Sequence, residues 1–211
     1  MPFTMTSVER LYGLYRAIDY IEKNKIEGDV VEAGVWKGGS SMMAALALKQ
    51  AGNTGRKIWM YDTYEGMSEP TEKDISWKNE KVKENWEEIK STNDHIMCIS
   101  SLDEVQQNVF STKYPQGNLL FVKGKVEETI PQQMPSRIAL LRLDTDWYES
   151  TYHELKHLFP LLAENGVLII DDYGYWKGAR EAVDQYFQEQ GIKPLLHRLD
   201  HTGRMMIKLK K

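Results

Sequence analysis

With one cysteine, Cys98, in 211 residues, the chain cannot form an internal disulfide. It has no apolar run of membrane-spanning length, and its first residues lack the apolar core of a signal peptide. A soluble, cytoplasmic protein is the expectation. Neither charge sign is in large excess: 27 Lys and Arg face 31 Asp and Glu, a formal net charge of −4. That balance gives no footprint for nucleic acid, and the basic tail at 208–211 is too short to make one. Repeats and low-complexity stretches are also missing, and the length suits a single domain, 1–211, built around one core.

What the sequence does have is two apolar, β-prone runs that end in carboxylates. Residues 137–143 run into Asp144-Thr145-Asp146, and 166–170 run into Asp171-Asp172. Residues 148–162 between them read as a helix, so the runs should be parallel neighbours joined by a right-handed crossover. Both acidic pairs then reach the carboxyl edge of one sheet, where open α/β sheets bind ligands. Carboxylates converging there repel one another unless a cation is present or a proton is shared. Oxygen-only ligands favour Mg²⁺, Mn²⁺ or Ca²⁺ over zinc. The simpler alternative is that each Asp caps a turn or helix.

The rest of the chain supplies the other layers. Thr6 with Glu9 is a capping box that opens a helix over about 6–24. Residues 29–33 form a strand that enters a glycine turn, a helix follows over 41–49, and 57–61 form the next strand. The charged segment 64–94, with Trp77 and Trp86, contains a helix near 78–90 and is either a lid or a solvated surface insert. A helix after Ser101, a strand at 119–122, a helix over 178–189 and a terminal hairpin complete a mostly parallel sheet.

Glu32-Ala33-Gly34-Val35-Trp36-Lys37-Gly38-Gly39-Ser40-Ser41 is the first ligand candidate, because glycines let the backbone approach a ligand at a helix N-terminus. Its spacing is neither the dinucleotide nor the nucleoside-triphosphate pattern. Asp62, ending the second strand, is placed to accept hydrogen bonds from a ribose diol, or to form a turn. His153-Glu154-Leu155-Lys156-His157 matches a zinc-protease pattern, but Lys156 sits beside the proposed ligands and no third ligand follows. His201 in the hairpin turn is either a surface residue or part of an acceptor pocket. Lys177 and Arg180 would suit an acidic substrate, although a solvated helix face explains them more simply. Asp-x-Asp with a later Asp-Asp also occurs in metal-dependent phosphoryl and glycosyl transfer. A catalytically silent cofactor-binding module is a further alternative.

Taken together, the stretches 28–39, 61–67, 124–131, 143–151, 170–173 and 197–203 resemble the macrocin O-methyltransferase (TylF-like) family of S-adenosylmethionine-dependent enzymes. The resemblance implies a Rossmann-like class I methyltransferase fold: α/β, with a seven-stranded mostly parallel sheet, one antiparallel edge strand and helices on both faces. It implies S-adenosylmethionine and Mg²⁺ as cofactors, and a sugar or other natural-product hydroxyl as the acceptor. Glu32, Gly34, Val35, Gly39, Ser40 and Ser41 would hold the methionine end, with Asp62, Gly124 and Asp144 also at the cofactor. Asp144, Asp171 and Asp172 would bind the metal. The resemblance also places Asp146 at the acceptor. On mechanistic grounds Asp146 is the preferred general base, which must lie within about 3 Å of the hydroxyl directly or through one water, with His201 as second choice. Relatives imply a homodimer or higher oligomer.

Overall fold

The computed structural model describes residues 2–92 and 97–210. The final two residues of the expected 64–94 insert lie outside the described residues. Seven strands form one sheet in the order β3-β2-β1-β4-β5-β7-β6: β1 (Asp29–Ala33), β2 (Ile58–Asp62), β3 (Leu119–Lys123), β4 (Ile138–Leu143), β5 (Leu162–Ile170), β6 (His197–Arg198) and β7 (Arg204–Ile207). The pairs β1–β2, β2–β3, β1–β4 and β4–β5 are parallel, whereas β7 runs antiparallel to β5. The reversed strand stands one place in from the edge, because the two-residue β6 pairs outside it. The order reverses between β1 and β4, which opens a crevice at their carboxyl ends.

Alternation along the central strands sends side chains to two cores. On one face Val30, Ile58, Met60, Leu140 and Ile169 pack under α1 (Val8–Lys23), α2 (Gly39–Gln50) and the helix over 102–110. On the other, Val31, Tyr61, Leu141, Leu168 and Ile170 meet the helices over 148–158 and 177–189. Every residue of β4 is buried, Arg142 included. Each large aliphatic side chain hidden this way contributes about 1.5–3 kcal/mol, so the central strands are held firmly beneath the crevice.

Several boundaries differ from the sequence expectation. Helix α1 is capped by Ser7, whose Oγ accepts from Arg10 N at 3.2 Å, one residue after the expected Thr6. Thr6 Oγ1 instead accepts from Arg142. Among the described residues the remaining α-helices are, in chain order, α3 (Trp86–Thr92), α4 (Leu102–Phe110), α5 (Val126–Thr129), α6 (Tyr148–Leu158) and α7 (Lys177–Glu189). The helix expected over 78–90 is divided: Ser76 N and Asn79 N close a turn on Glu80 O and Ser76 O, a 3₁₀ turn follows at Val82–Asn85, and α3 begins only at Trp86. α6 stops at Leu158 and β5 begins at Leu162, where the sequence reading continued the helix to 162 and started the strand at 166. The register slips between Ile138 and Leu140, and exposed Glu164 and Asn165 bulge out there.

Candidate active site

A cleft of about 510 Å³ lies along the carboxyl ends of β1 to β5. Its floor requires glycine at one position. Gly34 has φ +83°, and a Cβ there would overlap the Asp144 carbonyl oxygen, so β1 and β4 meet only without a side chain. Of the residues expected at the cofactor, Gly34, Val35, Ser40, Asp62, Gly124 and Asp144 line the cleft. Glu32, Ser41 and Gly39 do not. Ser41 Oγ donates to Glu32 Oε2 beneath the floor. Gly39 is pressed against Phe3 and Thr4, with its N–H donating to Phe3 O at 2.9 Å, so this glycine admits the N-terminal segment.

The glycine turn does not present a ring of open amides. Val35 N and Trp36 N donate to Asp62 Oδ2 at 2.7 and 3.0 Å, Gly34 N donates to Tyr61 O, and Gly38 N to Val35 O. Asp62 Oδ1 also accepts from Tyr64 N at 2.8 Å. Asp62 therefore ties β2 to the glycine turn, and a ribose diol has only the carboxylate's remaining lone pairs to use. With the amides of Gly34, Val35, Trp36, Gly38 and Gly39 engaged within the protein, this part of the turn offers few donors to a phosphate.

Sequence reasoning missed the buried cation at the centre. Arg142, 3 % exposed, donates to Glu32 Oε1 at 2.6 Å, Asp171 Oδ1 at 2.8 Å and Thr6 Oγ1 at 3.1 Å, and lies 2.8 Å from Asp144 Oδ2. Burial opposes its charge, but Asp144 and Glu32 outweigh that and raise its pKa. Burial likewise pushes Glu32 up to about 7 against the pull of Arg142 and Ser41. The signal was legible: a charged residue inside an apolar strand needs a partner, and Glu32 is its register neighbour on β1. Arg10 was not legible. From α1 it donates to Asp171 Oδ2, and its Nε lies 3.0 Å from Asp200 Oδ2.

Asp144, Asp171 and Asp172 bring carboxylate oxygens within 4.8 Å of one another. Among the described residues, Asp172 Oδ2 is buried without a hydrogen-bond partner. An all-oxygen set with an orphaned acceptor fits a hard divalent cation. Asp146 stands beside it at the centre of a γ-turn, with φ +67° and Trp147 N donating to Thr145 O at 2.7 Å. That conformation costs about 1–3 kcal/mol and persists only where neighbours enforce it. Trp176 Nε1 donates to Asp146 Oδ1 at 2.6 Å. Burial, and then Asp144, push Asp146 up to about 7.

The start of the insert roofs this end. Gly66, Met67 and Ser68 line the cleft, and Trp147 Nε1 donates to Ser68 O at 2.9 Å. Met67, Val82, Trp86, Ile89, Met97, Trp147 and Trp176 form a separate small core beneath the roof. His201 reaches the rim, its side chain 71 % exposed. The zinc-like motif is divided: His153 Nε2 is 2.9 Å from Ile130 O, while Glu154 is fully buried with no hydrogen-bond partner on either oxygen among the described residues. Burial raises the Glu154 pKa well above the ordinary carboxylate value. Glu154 thus packs into the core, where burial disfavours its charged form, and among the described residues it forms no metal-ligand group with the two histidines.

The family model for macrocin-O-methyltransferase (TylF) matches residues 1–208. The chain is 32 % identical over 200 residues to 8-demethyl-8-(2,3-dimethoxy-alpha-L-rhamnosyl)-tetracenomycin-C 4'-O-methyltransferase of Streptomyces olivaceus, covering 95 % of this chain and 73 % of that protein. It is 30 % identical to mycinamicin III 3''-O-methyltransferase of Micromonospora griseorubida, covering 95 % and 76 %. Among solved structures, the O-methyltransferase NovP superposes with a TM-score of 0.86 at 25 % identity, covering 99 % of this chain and 83 % of that one. On the match along almost its whole length, the chain belongs to the macrocin-O-methyltransferase (TylF) family.

Proposed function

We propose that this O-methyltransferase moves a methyl group from S-adenosylmethionine to a hydroxyl of a glycosylated small molecule, with Asp146 as general base. The observation that carries the reading is the placement of Asp146: on the cleft lining, beside the acidic cluster, with one oxygen fixed by Trp176. The cofactor would lie along Gly34, Val35, Asp62 and Gly124, its sulfonium directed at the carboxylates of β4 and β5. The acceptor would enter under the roof at Met67, Trp147 and Trp176.

The acceptor oxygen attacks the sulfonium methyl carbon in line. The carbon–sulfur bond breaks, its electron pair stays on sulfur, and S-adenosylhomocysteine leaves. Asp146 takes the hydroxyl proton, directly or through one water, which requires an approach of about 3 Å. Holding oxygen, carbon and sulfur collinear is much of the catalysis. Asp144, Asp171 and Asp172 would hold a divalent cation, Mg²⁺ by preference, which supplies Lewis acidity toward an acceptor oxygen. Arg142 and Arg10 fix the Asp171 carboxylate from opposite oxygens, so its orientation does not depend on the ligand. His201, mostly in solvent, is the second candidate for proton transfer.

The test uses labelled S-adenosylmethionine with a panel of rhamnosides and other glycosides, with Mg²⁺ and with EDTA. Native protein should label an acceptor only with the cation. Asp146→Asn should lose about 100-fold or more in turnover while S-adenosylhomocysteine still raises the unfolding midpoint. Native turnover by Asp146→Asn removes it as the base, and full labelling in EDTA removes the metal.

A further inference from the structure

The geometry points to Asp74, in the insert, as a positioning residue for Asp146. The inference rests on the reading of Asp146 as base, and gives the roof a task other than covering the cleft. Helix α6 begins directly after the strained turn at Asp146, and its N-cap, Trp147, makes no side-chain capping bond. Its first amide is satisfied from outside: Tyr148 N donates to Asp74 Oδ1 at 2.8 Å. Asp74 is 1 % exposed, and its other oxygen accepts from Thr71 N at 2.7 Å and Thr71 Oγ1 at 2.9 Å. A buried carboxylate on the first turn of a helix also complements the helix dipole. One residue thus fills the missing cap and fixes the exit of the turn that aims Asp146.

The same stretch of insert holds the other loop that touches Asp146. Trp77 N donates to Tyr175 O and Lys177 N to Ile75 O, both at 2.8 Å, and Ser76 forms a bridge with Trp176. Trp176 is the residue whose indole holds Asp146 Oδ1. The insert therefore clamps the base twice, once through the backbone of α6 and once through the backbone of Trp176. Gly178 supplies an independent sign that the Asp74 position is built in. A Cβ on Gly178 would overlap Asp74 Oδ1 first and then crowd Lys73 O and Tyr148 Cβ, so the glycine leaves room for that carboxylate and the backbone beside it.

The test compares Asp74→Ala, Asp74→Asn and Gly178→Ala in the full chain. Hydrogen exchange over 144–148 is the readout that does not depend on turnover. Asp74→Ala should speed that exchange at least about tenfold, Asp74→Asn less, since its amide oxygen can still accept from Tyr148. Gly178→Ala should reproduce Asp74→Ala by pushing the carboxylate aside, and the double variant should lose no more than either single. On an acceptor that the native chain methylates, kcat should fall at least about tenfold, since small misplacements of reacting groups cost that much or more. Acceptor KM and the midpoint shift given by S-adenosylhomocysteine should stay within twofold.

Unchanged exchange over 144–148 in Asp74→Ala overturns the proposal. So does an equal loss of cofactor response and turnover, which would mark Asp74 as merely structural, or fully additive losses in the double variant. If Asp74→Ala does not fold, Gly178→Ala and Asp74→Asn decide by the same readouts. Faster exchange in Asp74→Ala beside native turnover in Asp146→Asn would keep the clamp and discard the base, so the two readings fail separately.

Discussion

Replacing Arg142 by Met tests whether the buried charge cluster holds the floor of the cleft. The guanidinium faces Glu32, Asp144 and Asp171 at 2.6–2.8 Å with 3 % exposure, so removal strips a buried counter-ion from carboxylates that stay behind. Breaking a buried pair by deleting one partner costs about 3–5 kcal/mol. Two features place this case at the low end. Glu32, at about 7, already takes up a proton near neutrality, and Asp171 keeps Arg10. A loss of about 3 kcal/mol lowers the midpoint of a chain this size by roughly 6–12 °C. The assay is thermal unfolding at pH 7 and at pH 5.5. At the lower pH Glu32 is protonated in the folded variant, so the deficit should shrink. Adding Glu32→Gln should recover part of the loss, because the two groups share one interaction. A fall below about 2 °C, or a double variant as weak as the two singles summed, would refute the reasoning.

Glu154→Gln should raise stability at neutral and alkaline pH. Its folded pKa lies above the ordinary 4.5, so the folded state binds the proton more tightly, and native stability falls as pH rises from 4.5 toward that raised value. Urea unfolding between pH 5 and 9 should show the variant's advantage widening with pH, and a constant difference would count against a neutral Glu154. Asp200 has the opposite sign. Burial opposes its charge, but the Gly203 amide, Ser7 hydroxyl, Thr202 amide and Arg10 outweigh it and bring it to about 2. Its contribution is present above the ordinary 3.8 and is lost as pH falls toward 2, so Asp200→Asn should be weaker by about 2 kcal/mol at pH 7 and nearly equal to native near pH 2.

The sheet was legible because each central strand is a short apolar run closed by glycine or carboxylate, a pattern set by burial on both faces. The acidic cluster was legible for the same reason: strand ends bring Asp144, Asp146, Asp171 and Asp172 to one edge. What holds those carboxylates was harder to read. Arg10 and Asp171 are 161 positions apart, and no periodicity links them. Asp74 sits in a charged segment that looks solvated, and its burial follows only from where α6 starts. Glu154 was hidden in a pattern whose spacing suits zinc, although the same spacing turns Glu154 into the core on an amphipathic helix. Gly39 was read as room for a ligand, and the room is taken by Phe3.

Arg10 leaves the ribosome long before either of its carboxylate partners. At about 5–20 residues per second, Asp171 is made roughly 8–30 s after Arg10, and Asp200 later still. Strand β1 likewise waits for β4, since Glu32 and Arg142 are 110 positions apart. Through that interval the apolar stripe of α1, with Leu11, Leu14, Ile18 and Ile21, can meet α2 but not the strands β4 and β5 that complete its cover. The partly covered stripe of the first helix is therefore where a nascent chain would self-associate, and slowing translation would lengthen that exposure. Expression conditions that shorten it, or a chaperone that shelters the emerging α1, should govern how much active protein a cell obtains.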